Sequence, residues 1–332
     1  MRDTRYRALV RAHWSQSAIA RELGRAPSTI SRELSRNGGP FDTDPYRAHR
    51  ASKKAAARRV AKGIASRKIQ GELQELVEQK LRLSWSPEQI SGRLKLELGI
   101  HVSHEAIYQH VIRDAHEHQG YLRYCLRFAG YKHHRCKKSK HAECTRERKN
   151  WIDARPAAAN ERRELGHWER DCIVGKRGGA AMLTIVDRKS RYTRIRRVQK
   201  LDTKHVARAT AKVLRLYRDI TKTLTNDNGA EFQRDIEMQN KLDIPIYFCD
   251  PASPWQRGTV ENTNGLIRQY LRKGTGFDEL PDWIEDAVEE TLNFRPRKTL
   301  GYRTPHEVFY NQSITLTTNQ AMQFGLEFSL ES

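Results

Sequence analysis

The sequence predicts a multidomain chain, an all-α front half followed by an α/β back half. Three observations predict it. Up to about residue 119, apolar residues recur at i, i+4 within short segments bounded by Gly and Pro, the period of amphipathic helices. Past residue 160, short alternating or continuous apolar runs separated by turn residues take over. They are interleaved with helical stretches, the grammar of a mixed sheet with helices packed on it. The charge divides the same way: residues 1–150 carry 32 basic and 15 acidic side chains, and residues 151–332 carry 29 and 25. A basic front half on a nearly balanced back half predicts a polyanion-binding arm joined to something else. The length of 332 residues fits two or more domains at roughly 150 residues each.

Several classes drop out. The longest apolar stretch, Ala180 to Val186, is broken by Thr184 and falls far short of the ~20 residues that span a bilayer, so no membrane partner is expected. The charged N-terminus is followed by no apolar run, so no secretory signal is read. Five cysteines form no even framework, which fits a reducing compartment. The expectation is a soluble cytoplasmic protein with packed cores.

In chain order, Ile19 and Leu23 share one helix face, Gly24 supplies a turn, and Pro27 opens a second helix carrying Ile30 and Leu34. This spacing predicts a helix-turn-helix within a domain over residues 1–60. In a docked second helix, Ser28, Thr29, Ser31 and Arg32 would lie near the DNA groove and Arg36 near phosphate. A basic helical stretch with Lys53, Lys54, Arg58, Arg59 and Lys62 follows. A second, looser unit is expected over residues 61–119. There Ser86 caps a helix with Pro87 just inside it, Gly99 ends that helix, and Ser103 caps the next. His104, Glu105 and Gln109 are its weaker candidates for DNA contact.

Residues 120–160 read as a basic linker. His133, His134, Cys136, His141 and Cys144 match no standard zinc spacing, and nearby lysines oppose a cation, so they are read as part of that linker. Over residues 161–332, strands are expected at Cys172–Val174, Ala181–Val186, Tyr192–Val198, Thr223–Thr225 and Ile246–Phe248, with helices over Thr203–Tyr217 and Gln256–Leu271.

Three acids carry the chemistry. Asp171 is expected at the start of the first of these strands, Asp227 at the end of the fourth, and Glu261 early on the long helix. Clustered carboxylates repel and need a hard cation. Two divalent ions on shared carboxylates would clamp an in-line attack at phosphorus. Arg268, two turns after Glu261 on the same helix face, is positioned to hold a phosphate. Arg295 and Arg297, in a basic cluster with Lys298, read as DNA-backbone contacts. Glu169, Glu231 and Asp187 read as supporting or turn residues, and Trp168 and Trp255 as packing residues at the site.

The blocks GHWERD (166–171), LTNDNGAEF (224–232) and SPWQRGTVENTNGLIRQYLRKG (253–274) resemble the three catalytic blocks of DDE transposases of the insertion-sequence-thirty (IS-thirty) family. IARELGRAPSTISREL (19–34) resembles that family's helix-turn-helix, and NFRPRKTLGYRTPHEVF (293–309) its C-terminal block. The resemblance implies an RNase H-like (retroviral-integrase-like) core with Asp171, Asp227 and Glu261 as catalytic, metal-binding triad. It implies two Mg²⁺, or Mn²⁺ in their place, and double-stranded DNA partners: terminal inverted repeats and a target. It also implies a homodimer or higher oligomer holding two ends, at work on the bacterial nucleoid. The activity implied is cleavage at element ends and transfer of the freed 3′-hydroxyl to target DNA. One departure is Arg170, where the family usually has Gly. The alternative reading, a sequence-specific DNA-binding regulator with an inactive core, rests on it. A retroviral-type integrase is a third reading, opposed by the helix-turn-helix and the C-terminal block.

Overall fold

Gly24 takes a φ of +60° between the first two helices of the predicted helix-turn-helix, a left-handed turn that costs glycine nothing. A computed structural model of the protein describes residues 4–37, 47–65, 68–117, 120–127, 150–232, 242–251 and 253–315. Packing divides the chain into two units, Met1–Gln70 and Gly71–Ser332.

The first unit holds α1 (Thr4–Arg11), α2 (Gln16–Glu22), α3 (Pro27–Asn37) and α4 (Ala48–Ala65). Ser15 caps α2, its hydroxyl accepting from the Ala18 amide at 3.3 Å. Ile19, Ala20, Ile30, Tyr6 and Ala51 form one small core, with Leu23 and Leu34 packed against it. Arg58 of α4 donates to the Arg36 carbonyl and to Asn37 Oδ1, at 3.2 and 2.6 Å, closing the C-terminus of α3.

The second unit opens with α5 (Gly71–Arg82), α6 (Pro87–Leu98) and α7 (His104–Glu117). Ser86 and Gln89 form the capping box of α6, and Gly99 ends it at φ +65°. These helices pack in the same unit as the sheet, and α4 runs past residue 60, so the packing boundary differs from the expected 61–119 division. Long-range contacts tie them to its C-terminal part. Arg93 of α6 makes a two-pronged, buried pair with Glu307 at 2.6 and 2.9 Å, and Gly92 lies under the Tyr302 ring.

The α/β domain begins earlier than expected, at β1 (Asn150–Trp151) and α8 (Ala157–Asn160). Ile152 and Ala159 are buried and Arg155 donates to Thr225, so residues 150–160 belong to the core rather than to a linker. Residues 121–125 form a short 3-10 turn. The candidate zinc residues lie outside the described residues.

β2 (His167–Val174), β3 (Ala181–Asp187), β4 (Thr193–Val198), β5 (Thr223–Asn226) and β6 (Ile246–Phe248) complete a six-stranded sheet in the order β1-β6-β5-β2-β3-β4. β2, β3 and β4 pair antiparallel, and β5 runs parallel to both β2 and β6. One face packs on α9 (Thr203–Arg215): Trp168, Leu183, Ile185, Leu224 and Ile246 meet Val206, Val213 and Leu214. The other face packs on α10 (Gly258–Ile267) and α11 (Ile284–Asn293): Ile173, Met182 and Ile195 meet Leu266, Ile267, Val288 and Leu292. β3 is buried at every residue because both faces are covered. A further helix, α12 (Pro305–Tyr310), places Phe309 in the α9-side core, stacked on Tyr192 with ring centroids 4.3 Å apart. No helix among the described residues is long and apolar enough to cross a membrane.

Candidate active site

Strand alternation on β2 sorts its side chains. Trp168, Arg170 and Cys172 turn toward α9, while Glu169 and Asp171 turn toward α10. Asp171 sits at the fifth residue of an eight-residue strand, not at its start, because β2 begins at His167. Asp227 directly follows β5, and its Oδ1 accepts from the Gly229 amide at 2.9 Å, an Asx turn that fixes the carboxylate. β2 and β5 are parallel neighbours, which brings the two aspartates to adjacent strands. Glu261 lies in the first turn of α10.

The three acids converge on a single side chain. Arg257, buried and four residues before Glu261, lies 3.4 Å from Asp171 Oδ2, 3.2 Å from Asp227 Oδ2 and 3.9 Å from Glu261 Oε1. Asn264, one turn beyond Glu261, donates to Asp171 Oδ2 at 2.9 Å, and its own Oδ1 is buried without a hydrogen-bond partner. Burial raises the Asp171 carboxyl above its ordinary range, with Arg257 opposing and Asp227 reinforcing the rise. Burial also raises Glu261 and Glu231. Burial pulls the Arg257 guanidinium down, but Asp171 and Asp227 outweigh it and hold the group above its ordinary value.

Glu169 docks the helix that carries Glu261. It is fully buried, its Oε2 accepts from the Val260 amide at 2.8 Å, and its Oε1 accepts from Arg188. Asp187 accepts from the Lys189 and Ser190 amides and from Gly166, the turn role expected of it.

The donor set fits a hard divalent cation: carboxylate oxygens, an orphaned amide oxygen and an anionic pocket that needs a positive charge. Among the described residues, however, no three acidic, His or Cys side chains stand close enough to form a ready-made metal cluster. The Arg257 guanidinium stands among the three acids instead. Sequence reasoning missed Arg257, although its i, i+4 spacing to Glu261 on a helix start was the available signal.

Arg170 does not face the site. Its guanidinium stacks over Phe232 at 4.4 Å and donates to Thr210 Oγ1 at 2.8 Å and Asn226 Oδ1 at 3.0 Å, fully buried on the α9 side. The departure from Gly is a packing solution on the opposite face from Asp171.

The expected DNA-contacting residues divide. Ser28, Thr29, Ser31, Arg32 and Arg36 are all exposed on α3. His104 and Gln109 are exposed on α7, the first edge-on to Tyr108 and the second bonded to Glu105. Arg268 lies just past the end of α10, and its guanidinium donates to the Val174 carbonyl at 2.6 Å and, at 3.4 Å, to those of Leu271 and Arg272. Arg295 and Arg297 are corrected: both are buried and cannot reach a DNA backbone in this fold. Arg295 donates to Gln89 and Gln269, and Arg297 to the Leu292 carbonyl at the end of α11. A basic run looks solvated in sequence, and only packing shows it as internal glue. Trp168 is core, as expected, whereas Trp255 is 74% exposed on the turn that carries Arg257.

A family model described as "Integrase core domain" matches residues 161–254, and one described as "Helix-turn-helix domain" matches residues 7–37. Glu261 lies beyond the first of these. Among solved structures, the catalytic core domain of BIV integrase matches with a TM-score of 0.36 and 20% identity, over 44% of this chain and 94% of that one. Transposase InsI for insertion sequence element IS30C of Escherichia coli (strain K12) is 39% identical over 94% of this chain and 82% of its own length. The transposase for insertion sequence element IS1086 of Cupriavidus metallidurans is 37% identical over 89% of this chain and 88% of its own length. With a helix-turn-helix in front, an integrase core behind and relatives of this identity along almost the whole length, the chain belongs to the IS30 family of insertion-sequence transposases.

Proposed function

We propose that this DDE-type transposase binds the terminal inverted repeats of a bacterial insertion sequence, cleaves phosphodiester bonds at the element ends and joins the freed 3′-hydroxyl strand to target DNA. The integrase core depends on a divalent metal. The finer reading is that Asp171, Asp227 and Glu261 hold two Mg²⁺, with Mn²⁺ able to substitute. What supports it is one observation: a single guanidinium lies within 3.9 Å of all three carboxylates, so they already share one cation-binding space.

When bound, the divalent ions supply Lewis-acid stabilisation of the attacking and leaving oxygens of an in-line displacement. Asn264 orients Asp171 through its amide. Glu169 fixes the start of α10 and thereby Glu261. Trp255, exposed beside the site, offers an indole face on which an unpaired base can stack. In the first unit, Ser28, Thr29, Ser31 and Arg32 read the groove and Arg36 contacts phosphate. His104 and Gln109 add contacts from α7, and Arg268 reaches phosphate once released from its carbonyl partners. In function, the chain divides as residues 1–60 and 61–119 for DNA binding, a basic linker before residue 150, and the core after it. Two ends must be held together, so the working form is at least a dimer, on the nucleoid in the bacterial cytoplasm.

The test is a labelled inverted-repeat end incubated with protein and Mg²⁺. Wild type nicks at the element boundary and joins the 3′ end to a target. Asp227→Asn binds the same DNA with the same salt dependence and does neither. Equal cleavage by the two proteins refutes the assignment.

A further inference from the structure

We propose that Arg257 is the resident counter-ion of the carboxylate cluster in the metal-free protein. Its guanidinium holds Asp171, Asp227 and Glu261 together and has to withdraw for a divalent cation to bind. This rests on the reading of those three acids as the metal ligands.

The geometry makes the two cations mutually exclusive. Arg257 Nη1 faces Asp171 Oδ2 at 3.4 Å, and Nη2 faces both Asp227 Oδ2 at 3.2 Å and Glu261 Oε1 at 3.9 Å. The oxygens thus stand around a planar group, farther from its nitrogens than the ~2.0–2.6 Å at which Mg²⁺ or Ca²⁺ takes its oxygen ligands. A small ion draws the carboxylates inward, and the fork cannot stay between them. The guanidinium is also always charged, so it cannot yield by losing a proton.

The fit is that of a placeholder rather than of a permanent clasp. A structural Arg–carboxylate pair is two-pronged and short, as Arg93 and Glu307 show at 2.6 and 2.9 Å in the same unit. Arg257 instead spreads over three acids, and its buried Nη1 completes no hydrogen bond. The turn Pro254–Arg257 that carries it is held from its other side: Gln256 accepts from the Asp250 amide at 2.8 Å and donates to the Asp250 carboxylate at 2.9 Å. The turn therefore keeps an anchor when the guanidinium leaves. Without any cation, the half-buried Asp171 and Asp227 and the exposed Glu261 repel one another. Arg257 keeps the site assembled until metal arrives, at the cost of competing with it.

Mn²⁺ binding to the full chain without DNA, by titration calorimetry and by the loss of the free Mn²⁺ resonance signal, tests this. Arg257→Met binds Mn²⁺ roughly ten-fold tighter than wild type, within the range usual for coupled sites. It melts lower than wild type in chelator and gains more from added Mn²⁺. Arg257→Lys, with a point charge that reaches fewer of the acids, falls between. Affinity in Arg257→Met equal to or below wild type overturns the proposal. If Arg257→Met does not fold, Arg257→Lys decides on the same criterion, tighter than wild type or not. Asp227→Asn identifies a failure of the parent reading, because Mn²⁺ binding that is unchanged by it shows that these acids are not the ligands.

Discussion

One strand builds both the fold and the site, on opposite faces. On the α9 face of β2, Trp168 and Arg170 are fully buried, and Arg170 has its charge absorbed by Thr210, Asn226 and the Phe232 ring. On the α10 face, Asp171 stands among like charges with its carboxyl pushed up by burial, steadied by one borrowed guanidinium. The first face pairs the Arg170 charge and packs the core, although the buried Trp168 indole N–H finds no acceptor. The second leaves an unsatisfied amide oxygen and a half-compensated acid, which is stability given up for chemistry. Adjacent residues thus differ in kind, and a sequence-level oddity at Arg170 says nothing about Asp171 one residue on.

The comparison can be broken most directly at Asp171. Asp171→Asn lowers end cleavage by about a thousand-fold or more, as removal of a member of a concerted site does. Cleavage near wild type would erase the distinction between the faces. Next in size, Arg170→Leu destabilises the second unit by about 2–3 kcal/mol in denaturant melts, because Asn226 and Thr210 lose a buried partner. Cleavage per folded molecule stays unchanged, and a fall would put Arg170 in the site. Glu169→Gln mixes the two effects, since Glu169 both pairs with Arg188 and holds the Val260 amide. It costs about ten-fold in cleavage, or roughly 1.4 kcal/mol, together with a lower melting temperature.

The smallest effect is in pH. The folded Asp171 pKa lies above its unfolded value, so its contribution to stability is present at low pH and is lost as pH rises through the folded pKa. In chelator, Asp171→Asn therefore melts at or above wild type at neutral pH, and the difference shrinks toward acid. Glu307 runs the other way: burial raises it, but Arg93 and the Thr304 and Ile314 amides outweigh that and bring it down to about 2. Its stabilisation, present above pH ~4.5, is lost as pH falls toward 2. Arg93→Met removes most of that acid sensitivity, and a wild-type pH profile in the variant would separate Glu307 from Arg93.

Much of the site was legible because its parts are local. Asp227 is followed by Asn228 and Gly229, an Asx turn in any context, and Glu261 lies in a helical first turn three residues after Gly258. The caps at Ser86 and Ser103 and the turns at Gly24 and Gly99 were equally readable, since each acts within about four residues of itself. The start of β2 and the start of the α/β domain were misplaced for the complementary reason. β2 starts at His167 because the parallel partner β5 begins alongside it, and residues 150–160 join the core because β6 and Thr225 lie far along the chain.

Composition, period and turn chemistry by themselves determined a basic helical front, a mixed α/β back and three acids worth watching, because those signals are written in neighbouring residues. Only the tertiary structure decided which charges are available. It turned Arg170 inward, buried Arg295 and Arg297 as internal ties, left Trp255 in solvent and set Arg257 among the acids. A side chain's charge is a property of the residue, but its exposure and its partners come from segments tens to hundreds of positions away.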